Sequence, residues 1–352
     1  MAWLHFGSRG GVSQWPFLPS HLFQNGEQGA WFDPSDLSTL YQESTGLTPV
    51  TEPGQPVGLM LDKSGNGNRA SQAVSAARPI YGRTVPGGRT NWVSRSTPLA
   101  DGGDWSSQNI SHSFDGDETL VETTDTGAGF WHSAMRDSSL DYVAGAVFKM
   151  GNHRYLQVGG GTTSTGSDAN SATVTTSVVF DLLSGDWVST PLSSRVAIPM
   201  GDGYYFIGVR LDPAVSSSQY NNGLSFVFRN ESGGLAVGDG HTVFVKKAQA
   251  NIGTLVPRPY QRVGSAFDVT EEGQREVRYL QGDGVDDALV ATLPDLGTDA
   301  VIAYASDQGV TVLTGQTVSG AFNVLRDSQL FGMIVHDAQL AVVETYLERK
   351  AP

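Results

Sequence analysis

The chain has 352 residues, no cysteine, 43 glycines and a formal charge of -14 from 22 basic and 36 acidic side chains. That length is enough for two or three domains with real cores. The acid excess repels a phosphate backbone, and the missing thiols exclude disulfides and thiolate metal sites. Charged residues make up only 16%, too few for a coiled coil or a charge-rich disordered chain. No apolar run approaches the roughly 18 residues of a membrane span, and the first residues lack a basic segment followed by an apolar core, so no signal peptide is expected. The Gly/Ser/Thr-rich balance leans towards a soluble β protein.

Residues 1–28 read as an irregular arm, with Trp3, Phe6, Trp15, Phe17 and Phe23 scattered among glycines at no period. Such aromatics dock, either on the same chain or on a partner. Asp33 before Pro34 has the form of a helix cap with proline at the first helical position, Asp36 suits the first turn, and Leu37, Leu40 and Tyr41 follow at helical spacing. This predicts a short helix. Turns at Glu52-Pro53-Gly54, Ser64 to Asn68 and Pro86-Gly87-Gly88 fill the stretch to residue 90.

From Thr90 to about Val263 the pattern is sheet. Runs at 142–149, 173–182, 203–210, 224–230 and 241–247 are β-branched or aromatic. Leu224, Phe226 and Phe228 alternate with Ser225, and Val243 with Val245 repeats the device. Strand after strand without helices implies an antiparallel jelly-roll sandwich. Three more strands are expected at 299–304, 309–314 and 330–335. A last helix follows Asp337, with Leu340, Val343 and Leu347 on one stripe and Arg349 and Lys350 at its C-terminal end. The expected fold is mainly β: a jelly roll over 91–268, a second and smaller β-rich domain made from 29–90 and 269–352, and short helices near Pro34 and at the C-terminus.

Several phrases carry a resemblance. The segment GAWFDPSDLSTLYQESTGLTPVTEPGQPVGLMLDKSGNGNRASQ (29–72) resembles one met in structural and fibre proteins of tailed bacteriophages and prophages. AGAVFKMGNHRYLQVGGG, VVFDLLSGDW, MGDGYYFIGVRL and KAQANIGTLVPRPYQRV resemble a carbohydrate-binding-module-type jelly roll in such proteins. VRYLQGDGVDDALVATLP resembles the opening of laminin-G/concanavalin-like domains, with Gly282 where phenylalanine is usual, and VETYLERK resembles their end. The resemblance implies a virion protein with lectin-like domains: a fibre, spike or tail-tip subunit. Its expected partners are other virion proteins through the arm and a host cell-surface polysaccharide. Homotrimers are the habit of fibres.

Sugars stack on aromatic rings while neighbouring polar groups read their hydroxyls. Trp105, Trp131, Tyr155 and Trp187 are the candidate glycan contacts, Trp131 and Trp187 the preferred exposed pair; Tyr204, Tyr205 and Tyr220 lie in the same region. The competing reading makes them core and loop packing. Asp283 and Asp286, with Asp287 around Gly284, and Asp62 and Asn66, with Ser64 and Asn68, form oxygen-rich loops that suit a structural Ca²⁺ shared between them. The plainer reading is that these side chains make turns. No other cofactor is expected. No nucleophile elbow, phosphate loop or His-Glu-x-x-His helix occurs, and the seven histidines are scattered, so no catalytic residue is assigned. Adsorption to a glycan leads, a purely architectural virion module is the alternative, and a glycan-cleaving enzyme comes third.

Overall fold

A computed structural model describes residues 18–94, 96, 105–132, 140–159, 179–188, 195–211, 224–232, 234, 238–337 and 343–352. The chain is mainly β, as the alternating patterns predict. It forms two compact units, one from residues 1–82 and 277–352, the other from the intervening 83–276. Residues 83–90 and 269–276, which the sequence reading placed in the flanking segments, lie in the inserted unit.

The unit built from both chain segments is a sandwich. One sheet carries Val277–Gln281, Gln329–His336, Ala300–Ser306 and Gly309–Gln316, and the first strand, Gly29–Phe32, pairs with Gln329–His336 from Gly29↔His336 to Phe32↔Met333. The other has five short strands: Leu40–Tyr41, Leu59–Met60, Ala70–Ser71, Val290–Leu293 and Gly320–Asn323. Phe32, Leu40, Met60, Ala291, Ile302 and Met333 meet between them. Trp31, Tyr279, Ile334 and, through a register slip beside Gly332, Phe331 turn to the opposite face, where Val343 and Leu347 of the C-terminal helix Val343–Glu348 cover them. Leu340, expected on the same stripe, lies outside the described residues.

The helix predicted near Pro34 is a single 3₁₀ turn, Leu37–Thr39. Its cap is Asp36, whose carboxylate accepts from Ser38 N, and Leu40 already belongs to a strand. Asp33 is instead buried. Its carboxylate accepts from Lys350 Nζ at 2.9 and 3.0 Å, from Ser35 Oγ at 2.6 Å and from Tyr346 Oη at 3.1 Å. Asp33 Oδ1 still accepts from Ser35 N at 3.0 Å, so the turn starts as expected, but pairing of Leu40–Tyr41 with Leu59–Met60 ends it after one turn. Residues 18–28 also dock on their own unit: Phe23 lies 5.2 Å from the His336 ring, and the Leu22 carbonyl bonds His336 Nε2 at 2.8 Å. Residues 1–17, the rest of the expected arm, lie outside the described residues.

The inserted unit is a second sandwich of two antiparallel six-stranded sheets. The first runs Arg195–Gly201, Tyr204–Leu211, Tyr142–Met150, Thr242–Ile252, Glu118–Thr123, Ile110–Asp115. The second runs Asp186–Trp187, Val179–Asp181, Tyr155–Gly159, Leu224–Arg229, Gly129–His132, Trp105–Gln108. Leu224, Phe226 and Phe228 are fully buried and face Phe148, Val243 and Val245 across the core, as the period-two reading requires. Among the described residues, no helix is long and apolar enough to cross a membrane.

Candidate functional site

Strand Thr242–Ile252 does not alternate along its whole length. Val243 and Val245 point into the core, but so do Ala248 and Ala250, so the phase slips by one residue. The register against Tyr142–Met150 slips at the same place, from Val147↔Lys246 to Gly145↔Gln249. A bulge of this kind places two successive side chains on one face. Here Lys246 and Lys247 both leave the core side. The broken ladder is repaired by residues 91–96: Asn91 Nδ2 donates to the Ala248 carbonyl at 3.0 Å, its Oδ1 accepts from Ala250 N at 2.9 Å, and Ala248 N donates to the Ser96 carbonyl at 3.0 Å.

On that outer face Val147 and Phe206 are buried although they point away from the main core. Gly145 explains part of this. A Cβ at Gly145 would lie 2.6 Å from the Phe206 ring and 2.4 Å from the Ile207 carbonyl oxygen, so the missing side chain lets the ring lie close against the strand. Val147 and Phe206 floor a groove of about 590 Å³. Ile198 and Met200 of the edge strand line it, and the loop Pro257-Arg258-Pro259-Tyr260 stands along it. Lys247, Gln249, Glu271 and Glu272 supply its polar groups.

The loop is tied down. Arg258 N donates to Asn251 Oδ1 at 3.1 Å, the Arg258 carbonyl accepts from Gln249 Nε2 at 3.3 Å, and Tyr260 Oη bonds Ser96 Oγ at 2.8 Å. Glu271 Oε2 accepts from Gln261 Nε2 at 3.3 Å. Gln249 is 4% exposed, and its Oε1 has no hydrogen-bond partner. A neutral acceptor in that state carries a desolvation cost with nothing to offset it.

Beside the groove, Tyr204 Oη donates to Glu118. The ammonium groups of Lys246 and Lys149 lie 3.6 and 4.9 Å from its ring centre. Burial and then the adjacent Glu118 carboxylate push its phenol up to about 12. The ring is engaged by these cations.

The sequence-derived glycan contacts do not assemble into one platform. Trp105 is buried, its Nε1 donating to the Ser94 carbonyl at 3.0 Å, so it is a core residue. Trp187 is half-buried and packs edge-on to Phe180 at 5.0 Å, at the margin of the core. Tyr155 sits on the other face of its sheet, with the Arg154 guanidinium 5.1 Å over its ring. Trp131 lies in a strand opposite Ser225 and Ser106; its side chain, like all of Tyr220, lies outside the described residues.

The two oxygen-rich loops differ in use. Asp62 accepts from Trp31 N (2.9 Å), Ser64 N (2.8 Å), Ser64 Oγ (2.7 Å) and Asn68 N (3.0 Å). Asn66 Nδ2 donates to the carbonyls of Glu27 and Gly29. These residues clamp the loop onto the first strand, and both Asp62 oxygens are occupied by donors, which does not fit a cation shell. Asp283, Asp286 and Asp287 do converge, with one carboxylate oxygen of each within 4.8 Å of the others. Asp283 Oδ1, however, accepts from the backbone N–H groups of Val285 (2.8 Å), Asp286 and Asp287 (both 3.3 Å), the bonding of an Asx turn. Those amides hold the Asp283 carboxyl below its ordinary value; burial and the two neighbouring charges raise that of Asp287.

The chain matches no protein-family model, and no curated protein is significantly similar to it. The site therefore has to be read from its own chemistry. Lys247, Gln249 and the loop 257–260 fall within the phrase KAQANIGTLVPRPYQRV, but nothing in that phrase says which face its side chains take, so the groove was not legible as a site.

Proposed function

We propose that the chain is a structural subunit of a tailed-phage particle whose inserted sandwich holds a host-surface glycan in the groove beside the bulge. The observation that carries this reading is the groove's composition. An apolar floor of Val147 and Phe206 and a tyrosine wall stand next to cationic donors and to acceptors from Gln249, Glu271 and Glu272. A sugar needs that mixture, since each hydroxyl both donates and accepts while the C–H face seeks an apolar surface. The fibre-like and lectin-like phrases of the sequence supply the virion context. Several copies per particle turn a modest site into firm attachment, and the particle-binding role falls to residues 1–17, since Leu22 and Phe23 are used within the chain. Binding is preferred to cleavage because the groove's two acids are consecutive residues, not a pair facing one another across a bond.

Purified protein binding saturably to host cells and to extracted surface polysaccharide, and weakened by Tyr260→Ala and Gln249→Leu but not by Trp187→Ala, is the expected result. The second reading is an architectural module. Met200 and Val256, 54% and 65% exposed at and beside the groove, favour it, because exposed apolar side chains also suit a protein neighbour. Absence of glycan binding with a folded protein selects that reading.

A further inference from the structure

We infer that the groove takes a carboxylate-bearing sugar unit and that Lys247 reads its charge; this rests on the glycan reading above. Three described non-glycine residues have left-handed backbone: Asn109 at φ 55°, Asp202 at 51° and Lys247 at 54°. Asparagine and aspartate tolerate this region through local side-chain hydrogen bonds, whereas lysine gains nothing from it. Glycine is the residue a bulge with such a position ordinarily takes. A lysine kept there strains the backbone at the wall of a cavity, and strain of that kind clusters where function needs it. The bulge also separates two successive lysines. Lys246 serves Tyr204 and Glu118, the latter at 3.5 Å, while Lys247 lines the groove with its ammonium 5.6 Å from the Tyr260 ring centre.

Two further features agree. Arg258 lines the same groove, is exposed, and its guanidinium forms no ion pair among the described residues. Gln249, nine-tenths buried beside it, brings an acceptor with no donor of its own. A uronate carboxylate against Lys247 and Arg258 accepts charge-assisted hydrogen bonds, the stronger kind. Its ring hydroxyls supply donors on the Gln249 and Glu272 side. In a chain of charge -14, an acidic polymer is held only where cations are placed at the contact itself.

The test is calorimetric titration of the full chain with a short oligouronate, its methyl ester and an oligoglutamate, for the wild type, Lys247→Gly and Arg258→Gln. The oligouronate should bind at least about tenfold more tightly than the ester, and each variant should lose a similar factor. Lys247→Gly should melt no lower than the wild type, since glycine relieves the backbone. Equal binding of acid and ester, or full binding by Lys247→Gly, overturns the charge assignment while leaving a glycan groove. Binding of neither sugar overturns the glycan reading itself. Oligoglutamate binding as tightly as oligouronate overturns the sugar assignment in favour of an acidic peptide.

Discussion

Lys350 neutralises a carboxylate that burial alone would not leave ionised. Burial raises the Asp33 pKa, but Lys350, the Ser35 hydroxyl and Lys63 together hold it below its ordinary 3.8. Removing the partner leaves a buried charge, so Lys350→Met should cost about 3 kcal/mol in urea unfolding, and Asp33→Asn added to it should restore part of that. The Asp33 contribution is present above pH 3.8 and is lost as the pH falls through its lowered folded value. His153 acts in a higher window. Burial first, then the His241 ring 4.9 Å away, lowers it from 6.5 although the Tyr155 carbonyl favours its charged form. Above pH 6.5 the ring is neutral folded and unfolded alike. Below it the unfolded chain takes up a proton the folded one resists, and stability should fall by up to about 1.4 kcal/mol per pH unit until the folded value is reached. His153→Phe, which keeps a ring against Phe228, should lack that slope between pH 6.5 and 5. A variant with the wild-type slope would show that His153 is not its source.

Among the elements, the strand pair 142–150 and 204–211 is the least forgiving. Gly145 and Gly208 face each other in register, and a Cβ at Gly208 would come 2.3 Å from the Ala144 carbonyl oxygen. Backbone cannot swing aside as a side-chain tip can. Gly145→Ala should therefore cost roughly 2 kcal/mol or more in thermal melts, at the upper side of overpacking penalties, and should weaken groove binding by lifting Phe206. Strands of this sheet were legible because one face is buried and period two follows from that. The bulge was not, because the step from Val245 to Ala248 marks a change of phase only once both Ala248 and Ala250 are known to face inward. Nor was its consequence, since nothing local says that Lys247 meets a loop from Pro257 to Tyr260. Trp105 shows the same limit from the other side: its sequence neighbours give no sign of which face it takes, and the Ser94 carbonyl that satisfies its indole is a tertiary fact. Asp33 misled because a cap starts a turn whether a helix or a strand follows, and the pairing of Leu40–Tyr41 that decides between them is not local.

At the scale of the molecule, each unit has its own core, Phe148 with Phe226 in the insert and Phe32 with Met333 in the other. Arg83, Asp268 and Arg262 fasten the insert's two chain ends within that unit, at 2.5 and 2.9 Å. Residues 83–276 expressed alone should give a β-type circular dichroism spectrum and one cooperative melt; a non-cooperative melt would show that the sandwich depends on the flanking segments. The split nature of the other unit has a consequence for biosynthesis. Gly29–Phe32 leaves the ribosome early, yet its partner Gln329–His336 emerges only after the whole insert. At cellular elongation rates that interval is on the order of tens of seconds, longer than the milliseconds to seconds in which β sandwiches with non-local strand pairs such as Tyr142–Met150 with Thr242–Ile252 fold. Ala30 and Phe32 therefore wait for their strand partner until the whole insert has been synthesised, and the order of the strands makes closing this sheet a late step of biosynthesis.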